Sequence, residues 1–117
     1  MAVRSAPLLR RCCDEACMST VAHTRFDEPG VAERASAFGA LGDEVRLKMI
    51  KLLAQHESLC VCELQQAFDL EQPTISHHLR VLREANLVEV RRVGTWAYYS
   101  LRKDAAKRLV QELVALI

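Results

Sequence analysis

Aromatic side chains make up only 5% of this 117-residue chain, so its core has to be built from Leu, Val, Ile and Ala. No run of about 18 apolar residues occurs, so no transmembrane helix and no membrane partner are expected. The start, Met1 to Met18, carries Arg4, Arg10 and Arg11. It lacks a long apolar stretch followed by a small-residue cleavage site, so no signal peptide is expected and the default location is cytoplasmic. Neither sign of charge is in excess: 16 Lys+Arg stand against 15 Asp+Glu, a net charge of +1. The total therefore says nothing about nucleic acid, and the distribution must decide. Signs of catalysis are missing too. There is no Gly-rich phosphate loop, no Ser/His/Asp grouping at a motif spacing, and the adjacent Cys12-Cys13 is not the Cys-x-x-Cys of thiol oxidoreductases. The chain is expected not to be an enzyme, and no organic substrate is expected.

Hydrophobic residues are 50% of the chain and charged residues 26%, the mix of a folded soluble protein. The length suits one compact domain. Residues 1–27 show no sustained helical period and read as a flexible arm bearing cysteines. Residues 28–117 read as the folded domain. An aliphatic core on so short a chain is modest, and a second copy of the chain would help to bury apolar surface.

Periodicity outlines that domain. After Pro29-Gly30, a helical pattern places Val31, Ala35 and Phe38 on one face. Gly39 and Gly42 interrupt it, and Asp43 suits an N-cap or a first-turn acid. Val45, Met49, Leu52 and Leu53 then form a stripe on a second helix that ends near Gln55-His56. A short third helix spans about Val61 to Phe68, with Leu64, Ala67 and Phe68 expected to face inward. A tight connection through Asp69-Leu70-Glu71-Gln72 leads to Pro73, at a helix start where proline is tolerated. The fourth helix, about Pro73 to Glu84, has a narrow apolar seam of Ile75, Leu79 and Leu82. Two short helices joined by a tight turn, the second with a polar basic face, make a helix-turn-helix. The period then changes to two. Leu87 to Arg92 alternates, Val93-Gly94-Thr95 punctuates, and Trp96 to Leu101 alternates again, which reads as a β-hairpin. A last helix, about Lys103 to Ile117, carries Ala106, Leu109, Val110, Leu113 and Ile117 with nothing obvious in the chain to cover them. The fold class is therefore mainly α with one β-hairpin wing, α+β, and homodimeric.

Charge is distributed unevenly over these elements. From Gln72 to Leu101 the only acids are Glu84 and Glu89, against Arg80, Arg83, Arg91 and Arg92. Gln72, Thr74, Ser76, His77 and His78 add short polar groups that reach phosphates or base edges. These nine polar and basic residues make a DNA face, with the hairpin arginines on the flanking backbone or minor groove.

Five cysteines fall in two tight groups: Cys12, Cys13 and Cys17 in the arm, and Cys60 and Cys62 at the start of the third helix. An odd number in a chain without an export signal argues against a disulfide framework. Thiolates select soft ions such as Cd(II), Pb(II), Hg(II), Zn(II), As(III) and Sb(III). A helix N-terminus is expected to favour the thiolate form. Two thiolates rarely complete a coordination sphere, so the arm is expected to supply the remainder.

Four runs, in order and spacing, carry a resemblance: Leu41-Gly42-Asp43-Glu44-Val45-Arg46-Leu47, Leu59-Cys60-Val61-Cys62-Glu63-Leu64, Gln72-Pro73-Thr74-Ile75-Ser76-His77-His78-Leu79 and Gly94-Thr95-Trp96-Ala97-Tyr98-Tyr99. Over about residues 28–117 the chain resembles the ArsR/SmtB family of metal-responsive repressors. The resemblance implies a homodimeric winged helix-turn-helix on double-stranded operator DNA. Gln72–Leu82 would be its recognition helix, Arg91–Tyr98 its wing, and the two end helices its dimer interface. The Cys-Cys pair and the wing look more like the arsenic-sensing branch, which implies release from DNA when As(III) or Sb(III) binds the cysteines, Cys17 being the most dispensable of the five. A four-sulfur site for Cd(II), Pb(II) or Zn(II) is the alternative, and a thiol-redox switch is another. A second metal site known in the family uses Asp and His on the last helix. Here the matching stretch, Arg102 to Lys107, has one acid and no His, so that site is expected to be absent.

Overall fold

The computed structural model describes residues 29–117. Among these residues, five helices and three strands follow one another as α1 Val31–Ala40, α2 Glu44–Gln55, β1 Leu59–Cys60, α3 Val61–Phe68, α4 Gln72–Glu84, β2 Val88–Val93, β3 Trp96–Leu101 and α5 Lys103–Leu116. The expected arm, residues 1–27, lies outside the described residues.

Each boundary has a local cause. Helix α2 starts where the Asp43 side chain accepts a hydrogen bond from the Arg46 backbone N–H at 3.1 Å, the N-cap anticipated from sequence. Helix α3 stops at Asp69, whose left-handed backbone (φ 52°) turns the chain while its N–H still donates to Gln65. Asp tolerates that conformation better than most residues. Proline opens α4, where its missing N–H costs nothing. Gly94, at φ 62°, forms the tip between β2 and β3 together with Thr95.

The core is wholly apolar: among the described residues no polar side chain is buried. Met49 and Leu53 of α2, Leu64 of α3, and Ile75, Leu79 and Leu82 of α4 are all 0% exposed, and Leu87 and Val88 close the cluster below the hairpin. The seam read from α4 is thus its buried face. Leu109 anchors α5 to this core.

Three packing expectations are corrected. Helix α1 buries Ala37 and Ala40, with Phe38 partly covered, while Val31 and Ala35 are exposed. At 100° per residue Phe38 stays on the face of Val31 and Ala35, whereas Ala37 and Ala40 point to the other side and meet the core, so the face read from the sequence is the outer one, with Phe38 alone partly covered. In α3 the packed residues are Val61, Leu64 and Phe68, and Ala67 is exposed. At 100° per residue, Ala67 falls off the edge of the stripe those three define. The third correction is β1, which had been folded into the start of the third helix. Leu59 and Cys60 pair antiparallel with Tyr99 and Tyr98, giving a three-stranded sheet in the order β1-β3-β2. Two residues are too few to show a period, and their partner strand lies far along the chain.

Helix α5 leaves Val110 at 63%, Leu113 at 49% and Val114 at 62% exposure, with Leu116 and Ile117 beyond. That apolar strip finds no cover among the described residues, in keeping with the sequence reading.

Because Leu79 is fully buried where α4 meets α2 and α3, truncating it should leave a cavity under the polar face of α4. Leu79→Ala is expected to lower unfolding stability by about 2–5 kcal/mol. Urea denaturation at fixed protein concentration checks this, and a loss well below that range would mean that α4 is less firmly seated than its burial indicates.

Candidate nucleic-acid interface and thiol pair

With Ile75, Leu79 and Leu82 buried, the opposite side of α4 faces solvent. Gln72, Thr74, Ser76, His77, Arg80 and Arg83 are all exposed there. Gln72, Ser76, His77, Arg80 and Arg83, but not Thr74, form one wall of an open groove of about 620 Å³. The hairpin forms the second wall through Arg92, Thr95, Trp96, Ala97 and Tyr99, and the β1–α3 junction forms the third through Cys60, Val61 and Cys62.

Strand alternation decides which hairpin arginine enters the groove. Arg92 pairs with Ala97 and lines it. Arg91 pairs with Tyr98 and lies on the other face of the hairpin, in a separate depression beside Glu57 and Glu89. Successive side chains on a strand point to opposite faces, so the two arginines cannot share one surface.

His78 also departs from the expected DNA face. It is mostly covered, with its side chain 13% exposed, and is directed at the start of α2. Its Nδ1 lies 3.2 Å from the Arg46 guanidinium and 3.9 Å from Asp43 Oδ2. Arg46 in turn donates through Nε to the Ala40 carbonyl at 2.6 Å. Asp43, Arg46 and His78 therefore fasten α4 to the α1–α2 corner, and His78 acts from behind the groove. His77, its neighbour, does line the groove and lies 3.4 Å from Arg80 Nη2.

Sequence reasoning passed over Trp96 and Thr95 as groove residues, although both had been assigned to the hairpin. It also missed Arg46. Trp96 pairs with Val93 at the hairpin tip, so alternation alone would set it with Arg91, yet it lines the groove together with Arg92 and Ala97, which the alternating pattern does not indicate.

The thiol pair is asymmetric. Cys62 is exposed on the first turn of α3, whereas Cys60, the N-cap, is buried. Glu63 reaches back so that its Oε1 accepts the Cys60 backbone N–H at 3.0 Å, the reciprocal arrangement of a capping box. The expectation that the helix start would favour a thiolate is corrected for Cys60. The Glu63 backbone N–H pulls that thiol down, but burial together with the hydrogen bond and charge of the Glu63 carboxylate outweighs it and pushes the thiol above its ordinary value. Glu63 itself is held below the usual carboxylate range, chiefly by the Cys60 N–H. Among the described residues no cluster of three or more Cys, His, Asp and Glu side chains is arranged to hold a metal ion. Cys60 and Cys62 supply two sulfur donors, and Cys12, Cys13 and Cys17 lie outside the described residues.

Comparison with known proteins agrees with this geometry. The family described as "Bacterial regulatory protein, arsR family" matches residues 43–90, from the α2 cap into β2. An uncharacterised HTH-type transcriptional regulator of Methanocaldococcus jannaschii is 43% identical over 77 residues, covering 66% of this chain and 86% of the relative. An arsenical resistance operon repressor of Bacillus subtilis is 38% identical over 80 residues, covering 68% of this chain and 76% of the relative. Among solved structures, the homodimeric winged helix-turn-helix DNA-binding domain of a possible ArsR-family regulator from Mycobacterium bovis superposes with a TM-score of 0.65. It is 29% identical, over 80% of this chain and 89% of that one. The fold of this chain is a winged helix-turn-helix, with α3 and α4 as the two helices and β2–β3 as the wing.

The His78 contact makes stability depend on pH. Burial is the main cause that holds its imidazole below the ordinary value. Asp43 opposes that effect, and Arg46 and His77 reinforce it. In the unfolded chain His78 protonates near the ordinary pKa of about 6.5, and in the folded protein only at lower pH. The contribution is therefore complete above about pH 6.5 and is lost as pH falls through the folded value. Thermal denaturation of the parent and of His78→Gln between pH 7.5 and 5 should show a steeper loss in the parent, and parallel curves would contradict this assignment.

Proposed function

The chain belongs to the arsR family of bacterial regulatory proteins, and from that premise we propose that it is a cytoplasmic repressor released from DNA by As(III) or Sb(III). It is a regulator, not an enzyme. The single observation that carries the proposal is the shared groove: the thiol pair Cys60 and Cys62 opens onto the same surface as Gln72, Ser76, His77, Arg80, Arg83 and Arg92.

The repressor binds as a homodimer. The uncovered strip of α5, joined by Val31 on α1, is the apolar surface a second copy would bury. A pair of recognition helices then meets two half-sites about one turn of DNA apart. Helix α4 enters the major groove, with Gln72, Thr74 and Ser76 toward base edges and phosphates and Arg80 and Arg83 on the backbone. Arg92 contacts the flanking backbone from the wing. No helix among the described residues is long and apolar enough to cross a membrane.

The inducer site uses Cys60 and Cys62 with Cys12, Cys13 and, least firmly, Cys17. Two sulfurs suit a soft ion and leave its sphere open, which is the vacancy the arm thiols fill. A soft ion displaces the thiol proton on binding, so the raised Cys60 is compatible with ligation. Cys60, covered and with its thiol raised above the ordinary value, does not have the exposed low-pKa thiolate on which a redox switch depends. Three thiolates serve As(III), and a four-sulfur set would serve Cd(II), Pb(II) or Zn(II).

Fluorescence anisotropy of the reduced protein on labelled duplex from its own promoter, titrated with As(III) and with Cd(II), tests this. Release of at least about a hundredfold in affinity is expected, at lower concentrations of As(III) than of Cd(II). The double variant Cys60→Ser/Cys62→Ser should hold DNA at all ion concentrations. If it lets go as the parent does, the inducer site lies elsewhere.

The same assay separates the two hairpin arginines. Arg92→Ala should weaken ion-free binding and reduce the slope of log affinity against log salt by about 1. Arg91→Ala should change both less, since that side chain faces away from the groove. Equal effects would mean that both faces of the wing contact DNA.

A further inference from the structure

The tip of the wing carries an apolar pair. Val93 and Trp96 are cross-strand partners on either side of the Gly94-Thr95 turn, and they are 51% and 53% exposed. Strand β1 gives them no cover, because its pairing with β3 ends at Tyr98. Tryptophan is ordinarily well buried. Apolar surface left exposed inside a polar rim marks a place of contact. The rim here is cationic: Trp96 lines the groove with His77, Arg80, Arg83 and Arg92, and no Asp or Glu among the described residues lines it. That charge selects the occupant. An apolar face of a second protein has no use for a row of guanidinium groups, whereas a polyanion does. The surface open to a second copy lies elsewhere, along α5 and at Val31. The tip is instead continuous with the polar side of α4 through the shared groove, so both meet one duplex.

We propose that Trp96 is an apolar wedge that reads the minor groove of DNA beside the half-site held by α4. This rests on the DNA-bound reading above, in which α4 fills the major groove and the wing lies over the flank. The minor groove is about 6 Å wide, so it admits a side chain from the hairpin tip rather than the two-stranded ribbon. An apolar side chain pressed there partly unstacks a base step and bends the duplex. Pyrimidine–purine steps such as TA yield easily, whereas A-tracts are stiff. Trp96 therefore selects a deformable step at a position where the arginines select nothing, because contacts to phosphate carry no sequence information. Its contribution is apolar contact and stacking. It releases no counterions and leaves the salt dependence of binding untouched.

The test compares full-length Trp96→Ala and Trp96→Phe with the parent, all free of ion, by fluorescence anisotropy on a set of duplexes. Each duplex carries the half-sites of the protein's own promoter, flanked at the wing position by a TA step, a G·C run or an A-tract. Trp96 is exposed, so both variants should keep the urea midpoint of the parent. On the TA flank Trp96→Ala should bind about tenfold more weakly, with the slope of log affinity against log salt unchanged. Trp96→Phe should recover most of the loss. The parent should prefer the TA flank to the A-tract by about fivefold, and Trp96→Ala should not distinguish them. Emission from Trp96, the chain's single tryptophan, should be quenched more on the TA duplex than on the A-tract. If Trp96→Ala binds every duplex within about twofold of the parent, or loses affinity with a slope reduced by about 1, Trp96 is not the reader, and DNA binding through α4 and Arg92 stands without it. A parent that binds none of the duplexes would overturn the DNA-bound reading and this proposal with it.

Discussion

Burial of one narrow stripe on α4 organises everything else in the molecule. Ile75, Leu79 and Leu82 are withdrawn completely from water against Met49, Leu53 and Leu64. A helix with one stripe so anchored has no freedom to roll, and its remaining side chains are committed to solvent. Five polar or basic residues of α4, Gln72, Ser76, His77, Arg80 and Arg83, are thereby presented as one surface. The Asp43–Arg46–His78 contact adds orientation to this apolar anchoring. It ties the N-terminal half of α4 to the start of α2 from the side away from the groove. His78, expected on the DNA face, is part of the frame.

The hairpin converts that helical face into a groove. Antiparallel pairing sends Arg92 toward α4 and Arg91 away from it, and β1 holds the far edge of the sheet through Leu59 and Cys60. One consequence is that the thiol pair and the basic surface are neighbours, although Cys62 and Arg92 are distant in the chain. An effector bound at the thiols need not act through a long path of coupled elements. It arrives beside the arginines themselves.

Glu63 gives the two cysteines different characters. Its carboxylate caps the helix by accepting the Cys60 N–H, and the same carboxylate, together with burial, pushes the Cys60 thiol above its ordinary value. Capping and thiol chemistry are thus opposed at one residue: the group that stabilises the start of α3 stands against a free thiolate beside it. A soft ion bound there, as proposed, would reverse that balance, because it would replace the proton and supply positive charge next to Glu63.

Much of the chain could be read without coordinates. The alternation of glycine, capping acid, apolar stripe and proline located α2, α3, α4 and the hairpin to within a residue or two, and the seam of α4 was named residue by residue. These features are local: a cap, a period or a turn is written in neighbouring residues. The uncovered side of α5 was legible for the same reason, since its apolar period is local and the sequence offered no obvious cover for it. What the sequence alone could not decide were the matters that depend on residues far apart coming together. Strand β1 exists only because β3 passes beside it, α1 turns Val31 outward only because Ala37 and Ala40 meet the core, and Ala67 lies at the edge of a stripe whose centre is set by packing. Arg91 and Arg92, and His77 and His78, are adjacent and alike in sequence. Tertiary structure parted each pair, because a strand alternates its faces every residue and a helix turns 100° per residue, so which member meets the groove depends on where the neighbouring element sits.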